Sequence, residues 1–141
     1  MRVTVVCTGN VARSVALAAL LGTYRPDLHL NSAAVGEKAQ PGRRAARHMR
    51  DLLTQSGHPH LAQTHRSRLW VDLPRPDVTV ACAPVHLKHL ARLDPAAPTL
   101  LTRPTIPDPA FGGAEAYARA WPLLIQAARH LAATLPEGDR T

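Results

Sequence analysis

Residues 3–21 read Val3-Thr4-Val5-Val6-Cys7-Thr8-Gly9-Asn10-Val11-Ala12-Arg13-Ser14-Val15-Ala16-Leu17-Ala18-Ala19-Leu20-Leu21. A short apolar run, Val3 to Val6, leads into a polar loop, and a helix-like run from Val15 to Leu21 follows. This is a strand, a turn and a helix, the unit from which open α/β sheets are built. The turn carries a thiol at Cys7 and, after five intervening residues, Arg13 and Ser14. Such a loop can hold a tetrahedral oxyanion against a nucleophilic sulfur. Amides at the mouth of a helix point inward, and the helix end adds partial positive charge. Gly9 permits close backbone approach, and Arg13 can grip two anion oxygens with its planar fork. The same field favours a thiolate at Cys7, and Ser14 is placed to donate a hydrogen bond to the sulfur.

Outward from this loop, apolar runs alternate with helical patterns. Strands are expected at residues 2–6, 29–33, 77–83 and 99–102. Helices are expected at 13–24, from Pro41 to Gln55, from Pro84 to Leu93, and at 113–135. Gly57, His58 and Pro59 read as a break, His65 to Trp70 as one short turn, and Pro122 as a kink or local break in the last helix. The segment from Arg103 to Gly113 holds three prolines and two glycines and reads as a loop. The pattern predicts one α/β domain over residues 1–141, a parallel sheet with helices on both faces, and a frayed tail after about residue 136.

Composition narrows the function. The 141 residues are 45% hydrophobic, which argues against disorder, and no apolar stretch is long enough to span a membrane. Two cysteines, Cys7 and Cys82, make no disulfide scaffold, so a reducing cytoplasm is expected. The formal net charge is +7, but only 4% of residues are aromatic, a poor basis for stacking nucleic-acid bases. Arg43, Arg44, Arg47, His48 and Arg50 read as the solvated face of one helix. Of the eight histidines, His58, His60, His86 and His89 read as surface residues, because no Cys or carboxylate falls at metal-ligand spacing. No metal is predicted.

Thiolate attack on a phosphoryl group requires a proton donor for the departing oxygen. Asp108 in Thr105-Ile106-Pro107-Asp108-Pro109-Ala110-Phe111-Gly112-Gly113 is the candidate, because flanking prolines stiffen the loop that would aim it.

The loop from Val5 to Ser14 and the distal Asp108-Pro109, with Ser32-Ala33-Ala34 and His65-Arg66-Ser67-Arg68 between them, resemble the low-molecular-weight protein tyrosine phosphatases over nearly the whole chain. The resemblance implies a four-stranded parallel sheet in the order 2-1-3-4 in a three-layer domain. It implies Cys7 as nucleophile, forming a phosphocysteine. Arg13 and the loop Thr8, Gly9, Asn10, Val11, Ala12 and Ser14 would bind phosphate, with Asp108 as general acid and base. A supporting network of Asn10, Ser14, Ser32 and His65 is implied behind the loop, and no cofactor. The expected substrate is a phosphorylated protein or small phosphate ester, with inorganic phosphate as product or inhibitor.

The chain also departs from that family. Ala12 stands where many members carry a second cysteine. Val15 replaces the usual proline. Ala110 replaces one of two aromatic residues that wall the substrate groove, leaving Phe111. Two alternatives stand beside the phosphatase: an arsenate reductase drawing on an external thiol, with Cys82 as a redox candidate, and a phosphate-binding member without turnover.

Overall fold

The computed structural model describes residues 1–137. The tail expected to fray beyond Pro136 lies, apart from Glu137, outside the described residues.

The chain alternates β1 (Arg2–Cys7), α1 (Arg13–Tyr24), β2 (His29–Ala34), α2 (Arg47–Gln55), α3 (Pro59–Thr64), β3 (Val78–Ala81), α4 (Pro84–Leu93), β4 (Thr99–Leu101) and α5 (Gly113–Thr134). The four strands form one parallel sheet in the order β2-β1-β3-β4. The order expected from the resemblance is therefore the one observed. β1 is central and buried from Val3 to Cys7, as a strand covered on both faces must be.

Alternation along β1 divides the core. Val3, Val5 and Cys7 face one side, where Leu17 and Leu21 of α1 and Leu124, Ala128 and Leu131 of α5 pack. Val6 faces the other, with Ala33, Val35, Trp70, Ala81 and Leu90 of α4. Two polar side chains are accommodated on that second side because they satisfy each other, the Trp70 indole donating to Thr79 Oγ1 at 3.1 Å.

Four local expectations need correction. The helix drawn from Pro41 begins only at Arg47. Residues 42–46 bond to neighbouring segments instead: Gly42 N donates to Ser67 O at 2.8 Å, Ser67 N to Arg43 O at 2.7 Å, and Ala46 N to Val11 O at 2.8 Å. Arg43 and Arg44 therefore precede the helix that carries Arg47, His48 and Arg50. Pro59 does not only break a helix but starts α3 at its first turn, where a missing N–H is harmless. The turn placed at His65–Trp70 is a 3-10 turn over Trp70–Asp72. Finally, the local break allowed for at Pro122 does not occur: α5 continues through this residue, which lies on its exposed face.

Candidate active site

Cys7 closes β1, and Arg13 opens α1. Ala12, the residue preceding that helix, offers no side-chain cap, so the first amides of α1 face the loop without an internal partner. All eight residues from Cys7 to Ser14 lie together at the carboxyl end of the central strand, where open α/β sheets bind ligands. Cys7, Asn10, Ala12, Arg13 and Ser14 are buried, while Thr8 is exposed.

Asn10 organises the loop. It holds a left-handed backbone, φ 56°, which asparagine tolerates better than most residues. Its Nδ2 donates to Ser14 Oγ at 2.8 Å and to Ser32 Oγ at 2.9 Å. Its Oδ1 accepts from Arg68 N at 2.9 Å, and its carbonyl lies 2.7 Å from His65 Nε2. A carbonyl only accepts, so His65 carries its proton on Nε2. Burial holds the His65 ring below its ordinary pKa, against the pull of that hydrogen bond. The four residues expected to support the loop are thus in direct contact. Sγ of Cys7 lies 3.0 Å from Ser14 Oγ. Because Ser14 Oγ already accepts from Asn10, its own hydrogen is free for a sulfur anion.

Arg13 is 5% exposed. One terminal nitrogen donates to Ile106 O at 2.9 Å; the other lies 3.6 Å from Asp108 Oδ2 and 3.5 Å from Thr8 Oγ1. The fork thus ties the loop to the segment that bears Asp108. The Asp108 side chain is 53% exposed, and its Oδ1 accepts from Ala110 N at 3.0 Å, a local turn that holds the carboxyl near the mouth. Phe111 is fully exposed and packs on nothing, and Ala110 is half-buried.

One residue of the site escaped the sequence. His86, expected at the surface, is completely buried, and its Nε2 lies 3.0 Å from Thr8 Oγ1. Its Nδ1 accepts from Ala83 N at 3.1 Å. Burial, the nearby Arg13 charge and His89 push its pKa down to about 4, against Asp108. A hint was present: Pro84 marks the helix start and puts position 86 in the first turn, where side chains meet the end of β3.

Cys82 is fully buried beside this region, and burial pushes its thiol well above the ordinary range. Both cysteines are free. Gly36 supports the loop from below. Its N donates to Thr8 O at 3.0 Å, and a Cβ there would fall 2.7 Å from that oxygen. Among the described residues no group of three or more His, Cys, Asp or Glu side chains is placed to hold a metal, and no helix is long and apolar enough to cross a membrane.

A buried thiol at the strand-to-helix turn of the first strand, on a 2-1-3-4 parallel sheet, is the arrangement the resemblance implied, and comparison with known proteins supplies the class. The model of the low molecular weight phosphotyrosine protein phosphatase family matches residues 2–140, and the chain belongs to that family. The fold is shared with the tyrosine phosphatase Wzb from Escherichia coli K30 in complex with sulphate (28% identity, TM-score 0.85, covering 96% of this chain and 98% of that one). It is shared also with the YwlE arginine phosphatase from Geobacillus stearothermophilus (28%, 0.80, 94% and 90%). The Erwinia amylovora tyrosine phosphatase amsI, at 22% identity with TM-score 0.82 over 96% and 93%, shows the fold alone. No curated protein sequence matches the chain. Family and neighbours together make it a phosphatase, a phosphoric monoester hydrolase.

Proposed function

We propose that the chain hydrolyses phosphotyrosine or a related phosphate ester through a phosphocysteine. The observation that carries this is the contact set around Cys7: a sulfur 3.0 Å from a serine hydroxyl, at the floor of a cup closed by a buried arginine. The thiolate of Cys7 attacks phosphorus, the S–P bond forms, and the ester P–O bond breaks. Arg13 and the amides of residues 8–14 hold the equatorial oxygens while charge moves between them, an electrostatic stabilisation built before the substrate arrives. Asp108, as the acid, gives its proton to the departing oxygen. It then takes a proton from the water that attacks phosphorus, the S–P bond breaks, and inorganic phosphate leaves with the thiolate restored. No step calls for a metal or organic cofactor. Two unpaired thiols fit a reducing, cytoplasmic setting.

The arsenate-reductase alternative draws on an external thiol, with Cys82 as the redox candidate within the chain. Cys82 is an ill-suited candidate, since it is fully buried and held as the neutral thiol.

The test is turnover of para-nitrophenyl phosphate, with mass spectrometry of acid-quenched enzyme for a phosphate adduct on the Cys7 peptide. Cys7→Ser is expected to lose at least about 10³-fold in kcat while still binding phosphate. Turnover that survives this change overturns the nucleophile. A panel of phosphotyrosyl, phosphoseryl and phosphoarginyl peptides then assigns the substrate. The phosphoarginyl arm is motivated by the YwlE neighbour.

A further inference from the structure

The net charge is not spread over the molecule. Residues 38–68 carry seven Lys and Arg against one acid, Asp51, whereas the other 110 residues carry ten against nine. Nearly the whole positive excess thus resides in 31 consecutive residues.

That segment is fastened to one flank of the phosphate loop. Ala46 N bonds to Val11 O, His65 Nε2 to Asn10 O, and Arg68 N to Asn10 Oδ1. Its two arms are joined to each other where Gly42 and Arg43 pair with Ser67. On the far side the His48 ring lies 5.3 Å from that of Tyr117 on α5. The basic segment therefore borders the phosphate loop at Asn10 and Val11 and reaches α5 at Tyr117. Arg43, Arg44, Arg47, Arg66 and Arg68 are all exposed, and among the described residues none of them is in an ion pair. Arg44 and Arg66 lean only on neutral acceptors of residues 63 and 65.

We propose that this surface docks acidic stretches of a phosphoprotein, so that carboxylates flanking the phosphorylated residue select which chains enter the loop. This inference rests on the phosphatase function above and names the substrate class. Unpaired guanidiniums attract carboxylates through space and raise the encounter rate of an anionic partner. A peptide partner is favoured over nucleic acid, because residues 38–68 contain no Phe, Tyr or Trp on which bases could stack. The exposed Phe111 and the methyl of Ala110 give the substrate ring little grip, so selection falls on the charged border.

Two measurements test it. In the first, kcat/KM is compared for phosphotyrosyl peptides with glutamate-rich and with neutral flanks, in the wild type and in the triple variant Arg43→Glu, Arg44→Glu, Arg47→Glu. The wild type is expected to favour the acidic peptide by about tenfold at low salt, a preference that disappears at high salt. The triple variant is expected to reverse the preference while turning over para-nitrophenyl phosphate within about threefold of the wild type. Equal rates on both peptides in the wild type, or a preference unchanged in the variant, overturn the proposal. In the second, fluorescence anisotropy follows an unphosphorylated acidic peptide, which needs no catalysis. Salt-sensitive binding lost in the variant supports the surface. A single-stranded or duplex oligonucleotide that displaces the peptide well below the peptide's own Kd overturns it in favour of nucleic acid. Failure to hydrolyse any phosphate ester sinks the catalytic reading and leaves the anisotropy result to decide the docking surface.

Discussion

His86 and Thr8 are 78 positions apart in the chain, yet the imidazole Nε2 lies 3.0 Å from the threonine hydroxyl. The partners of the ring decide the direction of this bond. Nδ1 accepts the amide hydrogen of Ala83, so it carries no proton, and the neutral ring must hold its hydrogen on Nε2. Thr8 Oγ1 then accepts from His86, with one Arg13 nitrogen 3.5 Å away. Its own hydrogen is left to point at an incoming anion.

Protonating His86 puts a hydrogen on Nδ1 and breaks the bond from Ala83. The folded-state pKa is lowered to about 4, from an ordinary 6.5. Between these values the unfolded chain binds the proton more readily, so stability contributed by this ring is complete above pH 6.5 and is lost as pH falls toward 4. His65, lowered in the same direction, adds to the slope. Thermal unfolding from pH 7 to 4 should show Tm falling, and His86→Gln should flatten part of that fall. An unchanged slope in the variant would assign the loss to other groups.

Asp108 is tested by the leaving group. Asp108→Asn should lower kcat by roughly 10²–10³-fold for phenyl phosphate, which needs a proton, and by less than about tenfold for para-nitrophenyl phosphate. Equal losses on both would take Asp108 out of the acid role and leave it as a partner of Arg13.

Gly36 is required by space. A methyl there would sit 2.7 Å from Thr8 O and 2.8 Å from Thr8 Cγ2, so Gly36→Ala must push the loop or β2 aside. Overpacking of this kind costs about 1–3 kcal/mol. A loss of phosphate affinity should accompany it, read by calorimetry, because the loop amides move with Thr8. Full affinity in the variant would show that the loop tolerates the shift.

Ala12 bears on oxidation. With no thiol at that position and Cys82 held as a buried, protonated sulfur, a sulfenic acid on Cys7 lacks a thiolate to trap it and can be oxidised further. Activity lost to peroxide should return poorly with dithiothreitol, and Ala12→Cys should restore recovery. Full recovery of the unaltered protein would refute this.

Much of the site was legible because it is contiguous. Cys7 to Ser14 form one turn, so spacing alone brings a thiol, a guanidinium and a hydroxyl together. The strands were legible from apolar runs, but their order was supplied by the resemblance, since local patterns say nothing about which strands pair. His86 was misread because its burial depends on Thr8 and Ala83, which no periodicity links to it. Residues 42–46 were misread as helix because their amides bond to Ser67 and Val11, partners supplied by the tertiary fold. Phe111 was legible as a residue of the loop but not as a side chain standing clear in solvent.

Asn10 is held at both ends of its side chain and at its carbonyl, by residues from α1, β2 and the stretch after α3. On the proposed mechanism, a receptor assembled so completely in advance would not distinguish an arriving ester from a spent one: inorganic phosphate would meet the same amides and the same arginine. The rigidity that readies such a loop for a first turnover would then let the product compete for the second, tying the speed of the enzyme to the level of free phosphate around it.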